Sequence, residues 1–317
     1  MLNKLLFYRA VLGLSLIACL AFSLVACSGT SKKSDGVSEN KHFLWKISDE
    51  NSSVWVLGSI HLADSTLYPL DPVIDSAFAH SEELAVELNM NDEEVVKEIG
   101  NQSVTKGMLQ EGTLREVLPL DLWNTFDSIC TDWNVPVVMF EKMRPWLAAM
   151  TLSSYAFVHA GLNPEYGLDY VFLDRAATDG KAIVGLETAE EQIDALADTT
   201  ESDSMGVYYF KTTLREISQI HVIVKNLMHA WKTGDEELLR QTIDEESETE
   251  SADDKNFKDA YEQRIYLSRN ARMAESIAKF LSEDRNVFVV VGVAHLALEK
   301  DNVIDALKRR GLRVERF

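Results

Sequence analysis

The sequence predicts an α/β fold with a central mixed β-sheet, helices on both faces of that sheet, and an additional portion of long helices. The main observation is that short, almost wholly apolar runs alternate with longer segments of helical periodicity, which is typical of strands covered on both faces. A second observation is a pair of long helical patterns between about residues 200 and 285. No repeat of solenoid length is present, so the sequence does not indicate an array of repeats.

The first part of the folded chain begins with a predicted hairpin. Two strand-like runs at 43–47 and 53–57 flank a polar turn, and the second run leads directly into a glycine, two residues and His61. A helix is expected from the Asp-Pro pair at 71–72, because these residues are typical of a helix start. Further helical patterns begin near Asp92, Leu120 and Arg144.

The second part of the chain is mainly helical, with two more strands and a terminal one. In order, we expect a helix from Gly167 that ends before Gly180, a strand at 182–186, long helices at about 205–232 and 256–281, a strand at 287–291, a helix at about 296–310, and a strand at 312–317.

The first 26 residues have the pattern of a secretory signal peptide. Lys4 and Arg9 precede an apolar run at 10–25, and this run leads into the ending Leu-Val-Ala-Cys. The ending resembles the bacterial lipobox, in which the cysteine, here Cys27, is lipidated and becomes the new N-terminus. The alternative is an uncleaved membrane helix, but the run of 16 residues is shorter than the roughly 20 residues that a spanning helix needs. We expect a lipoprotein signal at 1–26, a polar flexible tether at 27–41 and one folded domain at 42–317.

The chain is strongly acidic, with a formal net charge of −20. Such a surface argues against nucleic acid as a partner and against adhesion to anionic lipids, so a lipid on Cys27 would have to supply membrane attachment. Cys19 leaves with the signal, so Cys130 is the one thiol of the folded part and an internal disulfide is excluded. The sequence leaves the oligomeric state open.

Two of the seven histidines share an unusual context. His61 ends the sequence VLGSIH and His295 ends VVGVAH, so each follows an apolar run and has a glycine three residues before it. We expect each histidine just past the C-terminal end of a buried strand, where open α/β sheets place ligand-binding and catalytic groups. The alternative is two ordinary histidines that bond to carbonyl oxygens. The repeated context favours one shared cleft.

Glu87 is the candidate third member of that cleft. It is the penultimate residue of the apolar run LAVEL at 84–88, where a buried carboxylate is costly unless it is paired or bound to a cation. The alternative is an edge strand on which Glu87 faces water. His61, Glu87 and His295 together would form a site with two histidines and one carboxylate, which suits Zn²⁺, Mn²⁺, Co²⁺ or Fe²⁺ and leaves room for a water.

In the order and spacing of its motifs, the sequence resembles the TraB/GumN family, which includes the TIKI ectodomain proteases and is distantly similar to erythromycin esterases. The resemblance covers residues 43–317 and implies a TIKI- and erythromycin-esterase-like fold. The motifs that carry it are WVLGSIH at 55–61, Glu87, KMRPW at 142–146, GLD at 167–169, GLETAEEQ at 185–192, the Arg-Asn pair at 269–270, and GVAH at 292–295.

The resemblance implies a metal-dependent hydrolase, with His61, Glu87 and His295 as metal ligands or catalytic groups. The ion would be a divalent metal of the Zn, Mn or Co class. The substrate would be a peptide or a protein. A metal in such a site lowers the pKa of its bound water towards about 7 and polarises a carbonyl group.

Three further residues are predicted to act in the same cleft. Arg269 is expected to hold Glu87 or to stabilise an oxyanion, and Asn270 to orient a metal ligand. The alternatives are an ordinary salt bridge and an amide on the helix surface. Glu187 is a weaker candidate for a fourth ligand or the general base, and its alternative is to cap the helix that begins near Thr188. The general base is left unassigned.

The sequence therefore predicts a membrane-tethered, extracytoplasmic, metal-dependent hydrolase, most simply a metalloprotease that cleaves peptides by metal-activated water. Two alternatives stay open at this stage. One is a non-catalytic lipoprotein that binds a peptide signal in the same cleft. The other is an anchored structural domain whose histidines are core residues.

Overall fold

In the computed structural model, residues 41–243, 252–297 and 300–317 are described. Within them the chain forms one six-stranded sheet with the strand order β4-β3-β5-β2-β1-β6. The strands are β1 (Leu44–Ser48), β2 (Ser53–Ser59), β3 (Glu83–Val86), β4 (Ala182–Gly185), β5 (Val287–Gly292) and β6 (Arg313–Arg316).

The sheet is mixed, which confirms the predicted fold class. β2, β5, β3 and β4 run parallel to one another, and β1 pairs antiparallel with both β2 and β6. The predicted hairpin is formed by β1 and β2, with Ser48 opposite Ser53. The four parallel strands therefore bring their carboxyl ends to the same side of the sheet.

Apart from the turn between β1 and β2, the connections between the strands contain helices. The first group is α1 (Pro72–Ala79), α2 (Glu93–Gly107), α3 (Leu114–Val117), α4 (Leu120–Asp132), α5 (Pro145–His159), α6 (Leu168–Asp179) and α7 (Ala189–Leu196). The second group is α8 (Ser204–Ile217), α9 (Ile220–Thr233), α10 (Glu236–Ile243), α11 (Ala252–Glu262), α12 (Ser268–Ser282), α13 (Ala294–Ala297) and α14 (Val303–Arg309). A π-helical turn, Gln263–Leu267, joins α11 to α12, and short 3₁₀ turns lie at Ser65–Leu67, Val137–Met139 and Pro164–Tyr166.

Helices cover both faces of the sheet. Successive side chains of a strand point to opposite faces, yet all six residues of β5 are buried, so neither face is open to solvent at this strand. α6 packs against β3, β4 and β5, while α1 and α12 pack against β2. The buried indole of Trp231 on α9 donates a hydrogen bond of 2.7 Å to the carbonyl oxygen of Gly58, which ties the helical portion to the central strands.

Two predicted helices are each divided in the structure. The expected helix at 205–232 is interrupted after Ile217, where the Ser218 hydroxyl bonds back to the carbonyl oxygen of Arg215 and Gln219 leaves helical geometry. The expected helix at 296–310 is a single turn, α13, followed by α14. The Asn302 side chain accepts the Asp305 N–H at 2.7 Å and so starts α14 afresh.

The predicted signal at 1–26, Cys27 and the tether up to residue 40 lie outside the described residues. Among the residues that the structure does describe, no helix is long and apolar enough to cross a membrane.

Candidate functional site

The three strands β3, β5 and β2 are neighbours in the sheet and deliver the three candidate ligands to one place. Ser59, the last residue of β2, is in register with Gly292, the last residue of β5. His61 lies two residues beyond β2, His295 three residues beyond β5, and Glu87 directly follows β3. The expectation that both histidines follow strand ends is confirmed.

Glu87 is a buried, ionised carboxylate. β3 lies between β4 and β5, so the alternative of an edge strand with Glu87 facing water is wrong, and the residue is only 8% exposed. Its Oε1 accepts the Gly292 N–H at 2.7 Å, and its Oε2 accepts bonds from Arg269 at 2.6 Å and Gln192 at 3.3 Å. Burial raises the pKa of Glu87, but the charges of Arg269 and His61, with the Gly292 N–H, outweigh burial and lower the pKa to about 2.

His61 is held by a second carboxylate. Its Nδ1 lies 2.7 Å from Oδ2 of Asp169, and Oδ1 of Asp169 accepts the Ser59 hydroxyl at 3.1 Å. Burial lowers the pKa of His61, but the charge of Asp169 and its hydrogen bond outweigh burial and raise the pKa to about 9. The Nε2 atom of His61 is left to face the cavity.

His295 is held by an amide instead. Its Nδ1 lies 2.6 Å from Oδ1 of Asn270, and the Asn270 amide donates its Nδ2–H to the carbonyl oxygen of Asp301 at 3.1 Å. That second bond fixes the orientation of the amide, so Nδ1 of His295 carries the proton and Nε2 is an acceptor. Burial, with the charge of Arg269, lowers the pKa of His295 to about 3, so the ring is neutral.

The neutral state of the His295 ring determines the nature of its contact with Glu87. Nε2 of His295 lies 4.0 Å from Oε1 of Glu87. With His295 neutral and Nε2 unprotonated, both atoms are acceptors, so this contact is not an ion pair. A cation placed between these two acceptor atoms would interact favourably with both of them. Tyr266 packs edge-on against the His295 ring at 5.5 Å between centroids.

The two glycines of the repeated motif have different reasons to be glycine. A Cβ at Gly292 would lie 3.3 Å from Oε1 of Glu87, 3.4 Å from Nε2 of His61 and 3.6 Å from Cδ2 of His295. Three candidate ligands therefore surround one small space that a side chain at this position would fill. A Cβ at Gly58 would instead lie 2.8 Å from Cγ2 of Val293, so Gly58 serves the packing of the core.

Glu187 lies behind Arg269 rather than in the cavity. Its fully buried carboxylate accepts bonds from Nε of Arg269 at 2.9 Å and from Nη2 of Arg272 at 3.3 Å. Thr188, not Glu187, is the N-cap of α7. A role for Glu187 as fourth ligand or general base stays a prediction, and in the structure its contacts hold Arg269 in place.

Arg269 holds Glu87, which is one of the two arrangements expected for it. The guanidinium lies between two buried carboxylates, those of Glu87 and Glu187, and also donates to the carbonyl oxygen of Ile265 at 3.2 Å. Asn270, which was expected to orient a ligand, bonds to His295 and does not line the cavity.

The cavity around these groups is lined by both charged and apolar side chains. Its volume is about 730 Å³ when the open space at its mouth is included. The charged and polar lining residues are His61, Glu87, Asp169, Gln192, Arg269 and His295. The lining also includes two tyrosines and several aliphatic side chains, which are Tyr170, Tyr266, Val86, Leu88, Met90, Leu173 and Leu196.

Four residues of the site were not assigned a role from the sequence. Ser59, Asp169 and Gln192 all fall within motifs that carry the family resemblance, so membership in a motif was a signal that could have found them. Tyr266 has no such signal, because its position depends on the π-helical turn before α12. Such turns are frequent at functional sites.

The candidate ligand atoms at the site are of chemical types that fit a divalent cation. The distances between them, however, are not those of a formed metal site. Both imidazoles use Nδ1 for a protein contact and leave Nε2 for a ligand, as metal-binding histidines do, and Glu87 is ionised. Across the described parts of the chain, however, no group of three His, Cys, Asp or Glu side chains is placed to hold a metal ion. A metal on His61 would also have to displace its proton.

The family to which the chain belongs is shown by its match to a family model. The model of the TraB/PrgY/gumN family matches the chain over residues 43–316. The chain belongs to this family. All the residues described above as lining the cavity fall inside the matched range.

The individual relatives have low sequence identity to this chain. A "Metalloprotease TIKI homolog" of Amphimedon queenslandica is 24% identical over 361 residues, which cover 95% of this chain and 66% of the relative, so the chain spans just under two thirds of that protein. "Uncharacterized protein YbaP" of Escherichia coli (strain K12) is 26% identical over 194 residues, covering 60% of this chain and 69% of the relative. An uncharacterized protein of Treponema pallidum (strain Nichols) is 19% identical over 307 residues, covering 96% and 91%. No solved structure gives a significant match.

Proposed function

We propose that this TraB/PrgY/gumN protein is a membrane-tethered, extracytoplasmic, metal-dependent hydrolase that cleaves peptide substrates. The observation that carries the proposal is the meeting of His61 Nε2, Glu87 Oε1 and the His295 ring around the empty side-chain position of Gly292. The name of the TIKI relative, a metalloprotease, supports the same class of reaction.

The residues that would hold the metal are His61, Glu87 and His295. When bound there, a divalent ion supplies a water of lowered pKa and polarises the carbonyl group of the substrate. The chain's own contribution is to fix these donors. Asp169 and Asn270 each occupy Nδ1 of one histidine, so both Nε2 atoms are directed to the cavity.

Arg269 supplies a fixed positive charge to the cavity. Its guanidinium is immobilised between Glu87 and Glu187, and it lines the cavity wall. Negative charge develops on the carbonyl oxygen when a peptide bond is attacked, and a fixed cation stabilises that charge without reorganising. We therefore infer that Arg269 acts as an electrostatic stabiliser of the reaction, and the general base is left unassigned.

The apolar part of the lining supports a peptide substrate with an apolar side chain beside the cleaved bond. Leu88, Met90, Leu173 and Leu196 line the same cavity as the charged groups. An acidic side chain against these four residues would lose its hydration and find no cation among them, whereas an aliphatic side chain would gain about 25 cal/mol per Å² of buried apolar area.

The membrane tether is proposed from the sequence of the first 41 residues. A signal that ends in Leu-Val-Ala-Cys is typical of lipid attachment at Cys27, followed by a polar segment long enough to separate the folded domain from the lipid surface. The strong negative charge fits a protein that depends on the lipid rather than on charge for attachment.

The proposed activity is tested by incubating the purified protein with a peptide library, with and without added Zn²⁺, Mn²⁺ or Co²⁺. Cleavage is expected with metal, mainly beside large apolar residues, and it should be lost in His295→Ala. His80→Ala is the matched control, because His80 is exposed at the end of α1 and away from the site. Saturable peptide binding without turnover in the presence of metal would contradict the proposal and favour a peptide-sequestering lipoprotein.

A further inference from the structure

The structure assigns to Asp169 the role of positioning residue for His61. Asp169 is the second residue of α6, and its Oδ2 atom lies 2.7 Å from Nδ1 of His61. Its other oxygen is not free to rotate away, because Oδ1 accepts the Ser59 hydroxyl at 3.1 Å. Since Ser59 ends β2, both bonds of the carboxylate go to the strand end that carries His61.

The backbone beside Asp169 is fixed to the same strand end. A Cβ at Gly167 would lie 2.0 Å from the carbonyl oxygen of His61, so only glycine permits this approach. The next residue, Leu168, donates its N–H to the carbonyl oxygen of Ile60 at 3.2 Å. The Gly-Leu-Asp sequence at 167–169 therefore packs against the first Gly-x-x-His motif and holds it by three successive residues.

The two histidines of the site differ in the chemical group that holds the Nδ1 atom. A carboxylate holds His61, whereas a neutral amide, that of Asn270, holds His295. A carboxylate behind a ligating imidazole fixes the ring and raises the basicity of its other nitrogen. We therefore expect Asp169 to make His61 the stronger donor of the pair, with Asn270 fixing only the orientation of His295.

The first test is divalent-metal affinity, which requires no catalytic assay. This inference rests on the proposed function, because it takes His61 to be a ligand of a bound metal ion. By isothermal titration with Zn²⁺, Asp169→Asn should weaken binding by about 10- to 100-fold. The matched control is Asp174→Asn, which removes the same charge from an exposed position on α6 and should bind as the wild type does. Ser59→Ala, which removes only the bond that steadies Asp169, should cause a smaller loss in the same direction.

The second test is metal-free and separates this inference from the proposed function. In the ¹H NMR spectrum of the metal-free protein, the Nδ1–H of His61 bonded to Asp169 should give a downfield imidazole resonance that His61→Ala lacks. Asp169→Asn should shift or remove that resonance, and Asp174→Asn should leave it in place. If the wild type binds no metal but the resonance behaves in this way, the proposed function falls and the positioning role stands. An unchanged resonance in a folded Asp169→Asn protein would overturn the inference.

Discussion

Arg269 donates a hydrogen bond of 2.6 Å from its Nη2 atom to Oε2 of Glu87, and both side chains are buried. The same guanidinium also bonds to Glu187, whose carboxylate is fully buried. One buried cation thus satisfies two buried anions at the carboxyl ends of the central strands. The site depends on this charge balance before any ligand is bound.

Replacement of Arg269 should destabilise the whole protein. Arg269→Gln leaves the carboxylates of Glu87 and Glu187 without their buried cation, and we expect the free energy of unfolding to fall by about 3–5 kcal/mol. Urea denaturation followed by circular dichroism measures this loss. Arg272→Gln is the control, because Arg272 also bonds to Glu187 but its side chain is 40% exposed. A loss for Arg269→Gln no larger than that of the control would show that Arg269 does not balance the charges of Glu87 and Glu187.

Alanine at the two motif glycines should affect different properties of the protein. Gly58→Ala forces its methyl group against Val293 and should lower the free energy of unfolding by about 1–3 kcal/mol. Gly292→Ala brings its methyl group to 3.3 Å from Oε1 of Glu87 and 3.4 Å from Nε2 of His61, so it should cost less stability than Gly58→Ala, but it fills the space between the candidate ligands and should abolish metal binding. Thermal denaturation and a metal titration on both variants check this. Retained metal binding in Gly292→Ala would show that the ligands do not meet around this position.

The Glu83–Arg285 pair predicts a stability difference that depends on pH. The hydrogen bond from Arg285 lowers the pKa of Glu83 below its ordinary 4.5, against a smaller opposing effect of burial. A carboxylate with a lowered folded-state pKa adds stability that is present above 4.5 and is lost as the pH falls through the folded-state value. The wild type should therefore exceed Glu83→Gln in stability at neutral pH, and the gap should shrink as the pH falls below 4.5. A gap that stays constant with pH would rule out this contribution.

Lipid attachment is predicted to occur at Cys27. In bacteria grown with labelled palmitate, the wild-type protein should carry the label and sediment with membranes, while Cys27→Ala should do neither. Cys130→Ala is the control, since Cys130 is buried in the folded domain and should not affect labelling. Label that persists in Cys27→Ala would place the lipid elsewhere or refute the lipoprotein assignment.

The sequence predicted most elements of the fold because their signals are local. Asp71 and Pro72 start α1 as expected, and Gly180 ends α6 in the left-handed conformation that favours glycine. The break between α8 and α9 was missed because Ser218 and Gln219 are not residues that normally end a helix.

The candidate ligands were visible from the sequence for a related reason. His61 and His295 follow buried strands, and Glu87 is a carboxylate at the end of an apolar run, so each is unusual in its local context. Their supporting residues are not unusual. Asp169 has the pattern of an ordinary acidic residue in the first turn of a helix, and it lies 108 positions from His61. Only the close approach of the start of α6 to the segment that follows β2 brings the two together.

We propose that His61, Glu87 and His295 form one metal-dependent site. Isothermal titration of the purified protein with Zn²⁺ and Mn²⁺ tests it most directly, with His61→Ala, Glu87→Gln and His295→Ala beside the wild type. We predict that the wild type binds a single ion and that each variant loses most of this affinity, while His80→Ala keeps it. Equal binding by the wild type and all three variants, or no binding by any of them, would contradict the claim.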